Sequence, residues 1–190
     1  MIRIQSGILK GRNLPHPDPK EARPTTQKVR SAIFNILQKD LSGAFVWDLF
    51  AGSGAVGLEA YSRGASQVLF LDRNPLLMTG LSQWISRQIP DHRDAFSFFS
   101  EDVLRFLVRV KPKKPPSIIF MDPPYHYPDW SRLLNALCDG DIVDSNSLMV
   151  LEYHRKDSLP WESLLDRGYQ VLSHHTYGES GVSLLVPAAR

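Results

Sequence analysis

Short apolar runs alternate with longer polar segments along most of this chain. Each run has the length and continuous apolar character of a strand buried on both faces, and the intervening segments have helical periodicity as far as Asp139. Strands that alternate with helices in this way predict an α/β fold with a parallel sheet. The predicted strands are Phe45 to Asp48, Gln67 to Leu71, Ala95 to Phe99, Ser117 to Met121 and Leu148 to Glu152.

The two ends of the chain depart from this alternation. A short β-ribbon is predicted around residues 2–14, followed by a helix from Thr26 to Gln38. Near the other end, a helix at about 160–166 precedes a hairpin of two strands, 169–176 and 182–186. Together these elements predict a Rossmann-like, seven-stranded, mostly parallel sheet with one antiparallel strand and an N-terminal ribbon and helix.

A glycine turn follows the first predicted strand. Gly52, Gly54 and Gly57 form a G-x-G-x-x-G pattern and open a helix that ends before Gly64. Such glycines allow a tight turn and the close approach of a cofactor to the helix N-terminus. The next strand leads to Asp72, where an acid can bind a ribose. The pattern alone leaves NAD and S-adenosylmethionine both open.

Each of the first four predicted strands leads to an acid. Asp48 precedes the glycine turn, where it would repel a pyrophosphate but attract the ammonium and sulfonium of S-adenosylmethionine. Asp72, Asp102 and Asp122 follow the next three strands, and Asp102 is suited to accept a hydrogen bond from an adenine amine. Each acid alone is explained by a helix N-cap or turn. Four acids on one edge of a parallel sheet favour S-adenosylmethionine.

The four residues Asp122, Pro123, Pro124 and Tyr125 directly follow the fourth strand. Two consecutive prolines give a stiff loop whose carbonyls point outward. Asp122 and the Pro123 carbonyl would accept the two hydrogens of an exocyclic amine and stabilise positive charge that develops on its nitrogen. Tyr125 would stack on the base. For the motif alone, an ordinary turn with a surface tyrosine remains an alternative.

Several strings in the chain resemble a known family. DLFAGSGAVGLEA, LDRN and DPPY are similar to motifs I, II and IV of class I S-adenosylmethionine-dependent methyltransferases. IRIQSGILKGRNLPHPD followed by RPTTQKVRSAIFNIL resembles the bacterial RsmD family, which methylates the 2-amino group of one guanine in small-subunit (16S) ribosomal RNA. The resemblance runs from about Ile2 through Tyr125. The resemblance implies methylation of the guanine 2-amino group by in-line methyl transfer. The implied catalytic loop consists of Asp122, Pro123, Pro124 and Tyr125.

The resemblance also implies which residues bind the cofactor and the RNA. Arg23, Pro24 and Thr25 lead into a helix that covers the cofactor and presents Arg30 nearby. Arg73 stands where the family usually carries Lys. The implied cofactor-binding residues are Thr25, Asp48, Phe50, Ala51, Gly52, Ser53 and Gly54, with Asp72 and Arg73 at the ribose and Asp102 at the adenine.

The net charge of +2 conceals a basic N-terminus. The first forty residues carry eight basic and three acidic side chains, a balance of +5, so the remainder sums to −3. A basic extension suits a phosphate backbone, and we predict that Lys10, Arg12, Arg23 and Arg30 bind RNA. Residues 1–40 are therefore predicted to form an extension packed on a catalytic domain of residues 41–190.

Composition indicates one compact domain of 190 residues, with 43% hydrophobic and 22% charged residues. The chain starts without an apolar signal segment, and its apolar runs are too short to cross a bilayer, so a cytoplasmic location without membrane contact is expected. The one cysteine, Cys138, fits a reducing compartment. With one cysteine, and His174 and His175 on opposite faces of a strand, no metal site is predicted. We expect a monomer.

Two other functions remain open. An adenine 6-amino methyltransferase acting on DNA or RNA could use the same loop, although 190 residues leave no room for a sizeable target-recognition domain. A non-catalytic RNA-binding assembly factor could share the fold, although the complete set of acids argues against it. An NAD dehydrogenase would lack a recognisable hydride-transfer site. The sequence leaves open whether the substrate is naked RNA, a ribonucleoprotein or an assembled subunit.

Overall fold

A computed structural model describes residues 2–14, 27–139 and 141–188. Within these ranges, helices and strands follow the predicted order. The α-helices are Gln27–Ile36 (α1), Ala55–Ser62 (α2), Pro75–Gln88 (α3), Val103–Arg109 (α4), Trp130–Asp139 (α5) and Trp161–Asp166 (α6). The strands are Phe45–Leu49 (β1), Gln67–Asp72 (β2), Phe96–Ser100 (β3), Ile118–Met121 (β4), Leu148–His154 (β5), Tyr169–Tyr177 (β6) and Ser180–Pro187 (β7).

The seven strands form one sheet in the order β3-β2-β1-β4-β5-β7-β6. β1 with β2, β2 with β3, and β4 with β5 pair in parallel, whereas β7 is antiparallel to β5 and β6. The predicted α/β class, the seven strands and the one antiparallel strand are confirmed. Contacts group the chain into two compact units, Met1–Glu101 and Asp102–Arg190. The predicted boundary after residue 40 stays a prediction.

In the first unit, α2 packs closely on β2. A Cβ atom added at Gly57 would lie 2.3 Å from Cε1 of Phe70 and 2.8 Å from Cγ1 of Val68. Only glycine therefore allows this helix to approach the strand so closely. β1 is buried at four of its five residues, as expected for a parallel strand in a sheet covered on both faces.

The N-terminal segment of the first unit forms the predicted short β-ribbon. An antiparallel bridge joins Arg3 to Asn13, and the N–H groups of Ile4 and Leu14 donate to the carbonyls of Arg12 and Ile2 at 3.0 and 2.9 Å. Bends and turns occupy residues 6–11, because Gly7 and Gly11 have φ values of 79° and 87° that an extended strand cannot use. The predicted start of the following helix, Thr26, lies outside the described residues.

In the second unit, β5 is longer than predicted. The strand continues past Glu152 to His154 because β7 pairs with it as far as the Ser180 position. Glu152 therefore lies within a strand, 5% exposed, and not at the strand end that we predicted. β6 alternates between half-buried and exposed residues after Tyr169, as an edge strand does. No helix in the described ranges is long and apolar enough to cross a membrane.

Candidate active site

The glycine turn after β1 has an unusual backbone. Phe50, Gly52 and Gly54 have φ values of 66°, 54° and 75°. Phenylalanine is rare in this left-handed region, and such strain persists where the surrounding structure holds it. Here the Ala51 N–H donates to the Leu71 carbonyl at 2.9 Å, and the Gly54 N–H donates to the Ala51 carbonyl at 2.8 Å. The turn is thus held against the end of β2.

Asp48 joins this turn to the helix that follows it. The side chain is 3% exposed, and its Oδ2 accepts a hydrogen bond from the Gly57 N–H at 2.8 Å. Asp48 therefore satisfies one of the first amide groups of α2, which Gly54 cannot do because it has no side chain. The carboxylate also places negative charge beneath the turn, which disfavours a pyrophosphate and favours a cationic ligand.

Asp72 connects the end of β2 to the same turn. Its Oδ2 accepts from the Gly52 N–H at 2.8 Å, and its Oδ1 accepts from the Asn74 N–H at 2.9 Å. A carboxylate offers about four acceptor sites, so each oxygen has capacity for a further donor such as a ribose hydroxyl. Within the first unit, the structure thus brings Asp72 and the glycine turn together. The neighbouring Arg73 side chain is exposed.

In the second unit, Asp102 and the loop after β4 lie within electrostatic range. Asp102 is exposed and caps α4 by accepting from the Arg105 N–H at 3.1 Å. Burial raises the pKa of Tyr127, and the negative charges of Asp129 and Asp102 raise it further. Asp102 can therefore act on groups near the end of this loop while its side chain caps α4.

The DPPY loop, Asp122 to Tyr125, starts immediately after β4, as the sequence predicts. Asp122 is half-buried, Pro123 is buried and Pro124 is exposed. The Pro123 ring is thus fixed by packing, whereas Asp122 remains accessible. A stiff loop with an accessible carboxylate is able to hold an amine in one orientation.

Tyr125 is partly held by neighbouring groups of the second unit. Its hydroxyl lies 3.2 Å from Oγ of Ser180, and its ring meets His154 edge-on with the centroids 5.0 Å apart. The residue is 37% exposed, so part of its aromatic surface is open. The next residue, His126, has a φ of 60°, which ends the loop in a sharp turn.

The predicted RNA-binding residues differ in accessibility. Lys10 is exposed. Arg12 is half-buried, and its guanidinium donates to the carbonyl of Gln88 at the end of α3, where a cation is favourable. Arg30 is 2% exposed and donates to the Arg3 carbonyl at 2.7 Å, so it is the least accessible of the predicted RNA-binding residues that the structure describes. Arg23 and Thr25 lie outside the described residues.

Sequence reasoning missed Glu59, which connects three parts of the first unit. This carboxylate is fully buried in α2 and accepts from the N–H groups of Gln5 at 2.8 Å and Ser6 at 3.1 Å. It also pairs with Nε of Arg63 at 2.7 Å and lies 4.0 Å from Nε of Arg30. The sequence did contain a signal for a buried acid, because Glu59 is the one charged residue of the helix segment AVGLEAYS. An acid in such a segment must be buried with partners.

Comparison with known proteins places the chain in a family. The model of the family described as Conserved hypothetical protein 95 matches residues 2–185, almost the whole chain. The chain belongs to this family. The predicted RsmD membership is thereby confirmed, because curated relatives of the chain carry the name ribosomal RNA small subunit methyltransferase D.

Two such relatives and one solved structure show the extent of the similarity. The Escherichia coli (strain K12) protein is 32% identical over 160 residues, which cover 84% of this chain and 78% of that protein. The Haemophilus influenzae protein is 27% identical over 180 residues, which cover 93% of each. The structure of yhhF from Escherichia coli matches with a TM-score of 0.81 at 26% identity, covering 100% of this chain and 99% of that one. This chain and that protein thus share the fold over nearly the whole length of each.

Proposed function

We propose that this chain transfers a methyl group from S-adenosylmethionine to the exocyclic 2-amino group of a guanine in small-subunit (16S) ribosomal RNA. The family match over residues 2–185 carries the proposal. The names of the curated relatives support ribosomal RNA as the substrate. The choice of the guanine 2-amino group rests on the resemblance to the RsmD family.

We propose that the glycine turn and Asp72 hold S-adenosylmethionine, which supplies an electrophilic methyl group on its sulfonium. The remaining acceptor sites of Asp72 suit the ribose hydroxyls, and the charge of Asp48 suits the cationic methionine end. Asp102 has acceptor capacity for the adenine amine beyond its bond to the Arg105 N–H. The residues proposed for the methionine side are Asp48, Phe50, Ala51, Gly52, Ser53 and Gly54, with Thr25 and Arg73 completing the cofactor set.

The DPPY loop holds the reacting amine in this proposal. The lone pair of an exocyclic amine is delocalised into its ring, so acceptors at its two hydrogens favour the nucleophilic form. The Asp122 carboxylate and the Pro123 carbonyl provide these acceptors, and they act most strongly as positive charge develops on nitrogen. The proton leaves readily once the nitrogen is methylated and cationic, so Asp122 positions the amine more than it deprotonates it. Tyr125 stacks on a guanine rotated out of its helix.

The basic N-terminal residues contact the RNA backbone in this proposal. Lys10 is the best placed of the described residues because it is exposed. Arg12 contributes less directly, since its guanidinium also holds the N-terminal segment on α3. Arg23 remains part of the proposed set. We propose that the enzyme acts in the cytoplasm as a monomer, on ribosomal RNA alone or in a ribonucleoprotein or assembled subunit.

The test is tritium transfer from labelled S-adenosylmethionine to small ribosomal subunits, and to RNA stripped of protein, from cells that lack the enzyme. Wild type should label guanine, identified as the N2-methyl nucleoside by mass spectrometry. Asp122→Asn should reduce transfer by about 100-fold or more, as removal of one transition-state contact does elsewhere. The exposed Asp141→Asn is the matched control and should transfer normally.

Calorimetric measurement of cofactor binding separates the proposed role of the glycine turn in binding S-adenosylmethionine from the proposed role of the DPPY loop in binding the base. Asp122→Asn should bind S-adenosylmethionine like wild type, because Asp122 is assigned to the base. Combined loss of binding and transfer would contradict that division of roles. Labelling of adenine in place of guanine would establish the alternative adenine activity, and no labelling of any RNA would leave only an RNA-binding role.

A further inference from the structure

Three side chains of the second unit that can each bind a metal converge beside the DPPY loop. They are His126, which directly follows the loop, and His154 and Asp157 at and after the end of β5. One ligand atom of each lies within 4.8 Å of the other two. We propose that His126, His154 and Asp157 bind a divalent transition-metal ion, with Zn²⁺ as the best match.

Two of the three ligands are buried and fixed. His154 is 7% exposed, and the Asp157 side chain is 8% exposed. The Asp157 N–H donates to the His154 carbonyl at 2.8 Å, which forms a tight turn and keeps the two residues together. A nearby positive charge stabilises a carboxylate with so little exposure. A metal ion would provide that charge.

The third ligand is exposed and able to move. The His126 side chain is 71% exposed, and its Nδ1 already lies 3.0 Å from Oδ1 of Asp157. Two ligands of one tetrahedral Zn²⁺ lie about 3.4 Å apart, given bond lengths near 2.1 Å. The His126 and Asp157 atoms are therefore close to ligand spacing. The three ligand atoms lie within 4.8 Å of one another, so the largest separation exceeds ligand spacing by at most roughly 1.4 Å.

The donor set selects the kind of ion. Two imidazoles and one carboxylate suit Zn²⁺ and its transition-metal neighbours, whereas Mg²⁺ and Ca²⁺ prefer oxygen ligands throughout. Three protein ligands also leave a fourth position for water. The Lys156 N–H donates to Nδ1 of His154 at 3.3 Å, which places the proton of the neutral ring on Nε2. Coordination through Nε2 therefore requires this long hydrogen bond to break and the proton to move to Nδ1.

Binding would link the DPPY loop to the turn after β5. The loop carries His126, and the turn carries the other two ligands. The Tyr125 ring already contacts His154, and the ring of His126 lies 4.9 Å from that of His154. An ion at this point would restrict the motion of Tyr125 and its neighbours. This inference does not depend on the proposed methyl transfer, because metal binding is measured without it.

The first experiment is calorimetric titration of the chelator-treated full chain with ZnCl₂. Wild type should bind one ion per chain, and His126→Ala and Asp157→Asn should each weaken binding at least tenfold. His175→Ala, a histidine outside the cluster, should bind like wild type. His126 is exposed, so its replacement should leave the fold intact, as circular dichroism can verify. Failure of wild type to bind one ion, or equal affinity in wild type and both cluster variants, would overturn the proposal.

Two further measurements identify the ligands and the linked loop. X-ray absorption at the zinc edge should show only nitrogen and oxygen neighbours, and sulfur scattering would instead implicate Cys138. Hydrogen exchange of amides in residues 125–129 should slow on addition of Zn²⁺ to wild type but not to His126→Ala. Unchanged exchange in metal-loaded wild type would refute the linking of the loop to the turn.

Discussion

Replacement of Glu59 by glutamine tests the buried charge at the centre of the first unit. The carboxylate is fully buried and accepts hydrogen bonds from the amides of Gln5 and Ser6 and from Arg63. Glutamine keeps the size of the side chain but removes the charge. It also replaces one acceptor oxygen by an NH₂ group, which would face donors. The variant therefore perturbs these bonds and leaves the packing nearly unchanged.

The expected loss of stability follows from two overlapping effects. A hydrogen bond to a charged group contributes about 1.5–3 kcal/mol, and at least one such bond is lost. Arg30, 2% exposed, also loses its nearest negative charge. Burial lowers the pKa of Arg30 and the charge of Glu59 raises it, so the variant leaves this guanidinium less compensated. Breaking a buried pair in this way costs about 3–5 kcal/mol, and we expect the total to fall in that range.

Urea unfolding of the full chain measures this loss. Glu162→Gln is the matched control, because Glu162 is exposed in the first turn of α6 and should contribute less than about 1 kcal/mol. Thermal unfolding should place Glu59→Gln about 6–20 °C below wild type. Hydrogen exchange should show lost protection at the amides of Gln5 and Ser6. A Glu59→Gln variant within about 1 kcal/mol of wild type would refute the reasoning.

Three further predictions concern packing, RNA binding and thiol reactivity. Gly57→Ala should lower the free energy of unfolding by about 1–3 kcal/mol, because its Cβ would overlap Phe70. Gly80 has open space around it, so Gly80→Ala should raise the free energy of unfolding by about 0.5–1 kcal/mol. A Gly57→Ala variant as stable as wild type in thermal unfolding would contradict the close packing of α2 on β2. Lys10→Glu should weaken RNA binding at low salt and leave cofactor affinity unchanged. Equal RNA affinity of the variant and wild type in filter binding would count against RNA binding by the basic extension. Burial raises the pKa of the Cys138 thiol, so maleimide labelling at neutral pH should be slower in the folded chain than in urea, and equal rates would show an open thiol.

The strands were predictable because their signals are local. β1, β2, β3 and β4 match their predicted ranges within one residue at each end, since continuous apolar runs indicate buried parallel strands. β5 extends two residues beyond its prediction because its partner β7, distant in the chain, continues the pairing. The N-terminal ribbon is as short as predicted because Gly7 and Gly11 favour turns between its two arms.

The candidate site was less predictable because it depends on partners distant in the chain. Charge composition indicated a basic extension but could not show that Arg30 is buried beside Glu59. The motifs located Asp48 and Asp72 at strand ends, but only the structure shows the amides that each accepts from. His126 and Asp157 have no spacing that indicates a metal site, so sequence reasoning predicted none. Their proximity appears only after the second unit folds.

The glycine turn is held at its middle and at its exit before any ligand arrives. Asp48 secures its exit through the Gly57 amide, and Asp72 secures its middle through the Gly52 amide. The conformational entropy of this loop is therefore lost during folding and not during cofactor binding. A preorganised loop lets contact energy appear as affinity without a large ordering penalty. In the proposed cofactor site, the two aspartates would thus favour binding through rigidity, in addition to any contact they make with the ligand.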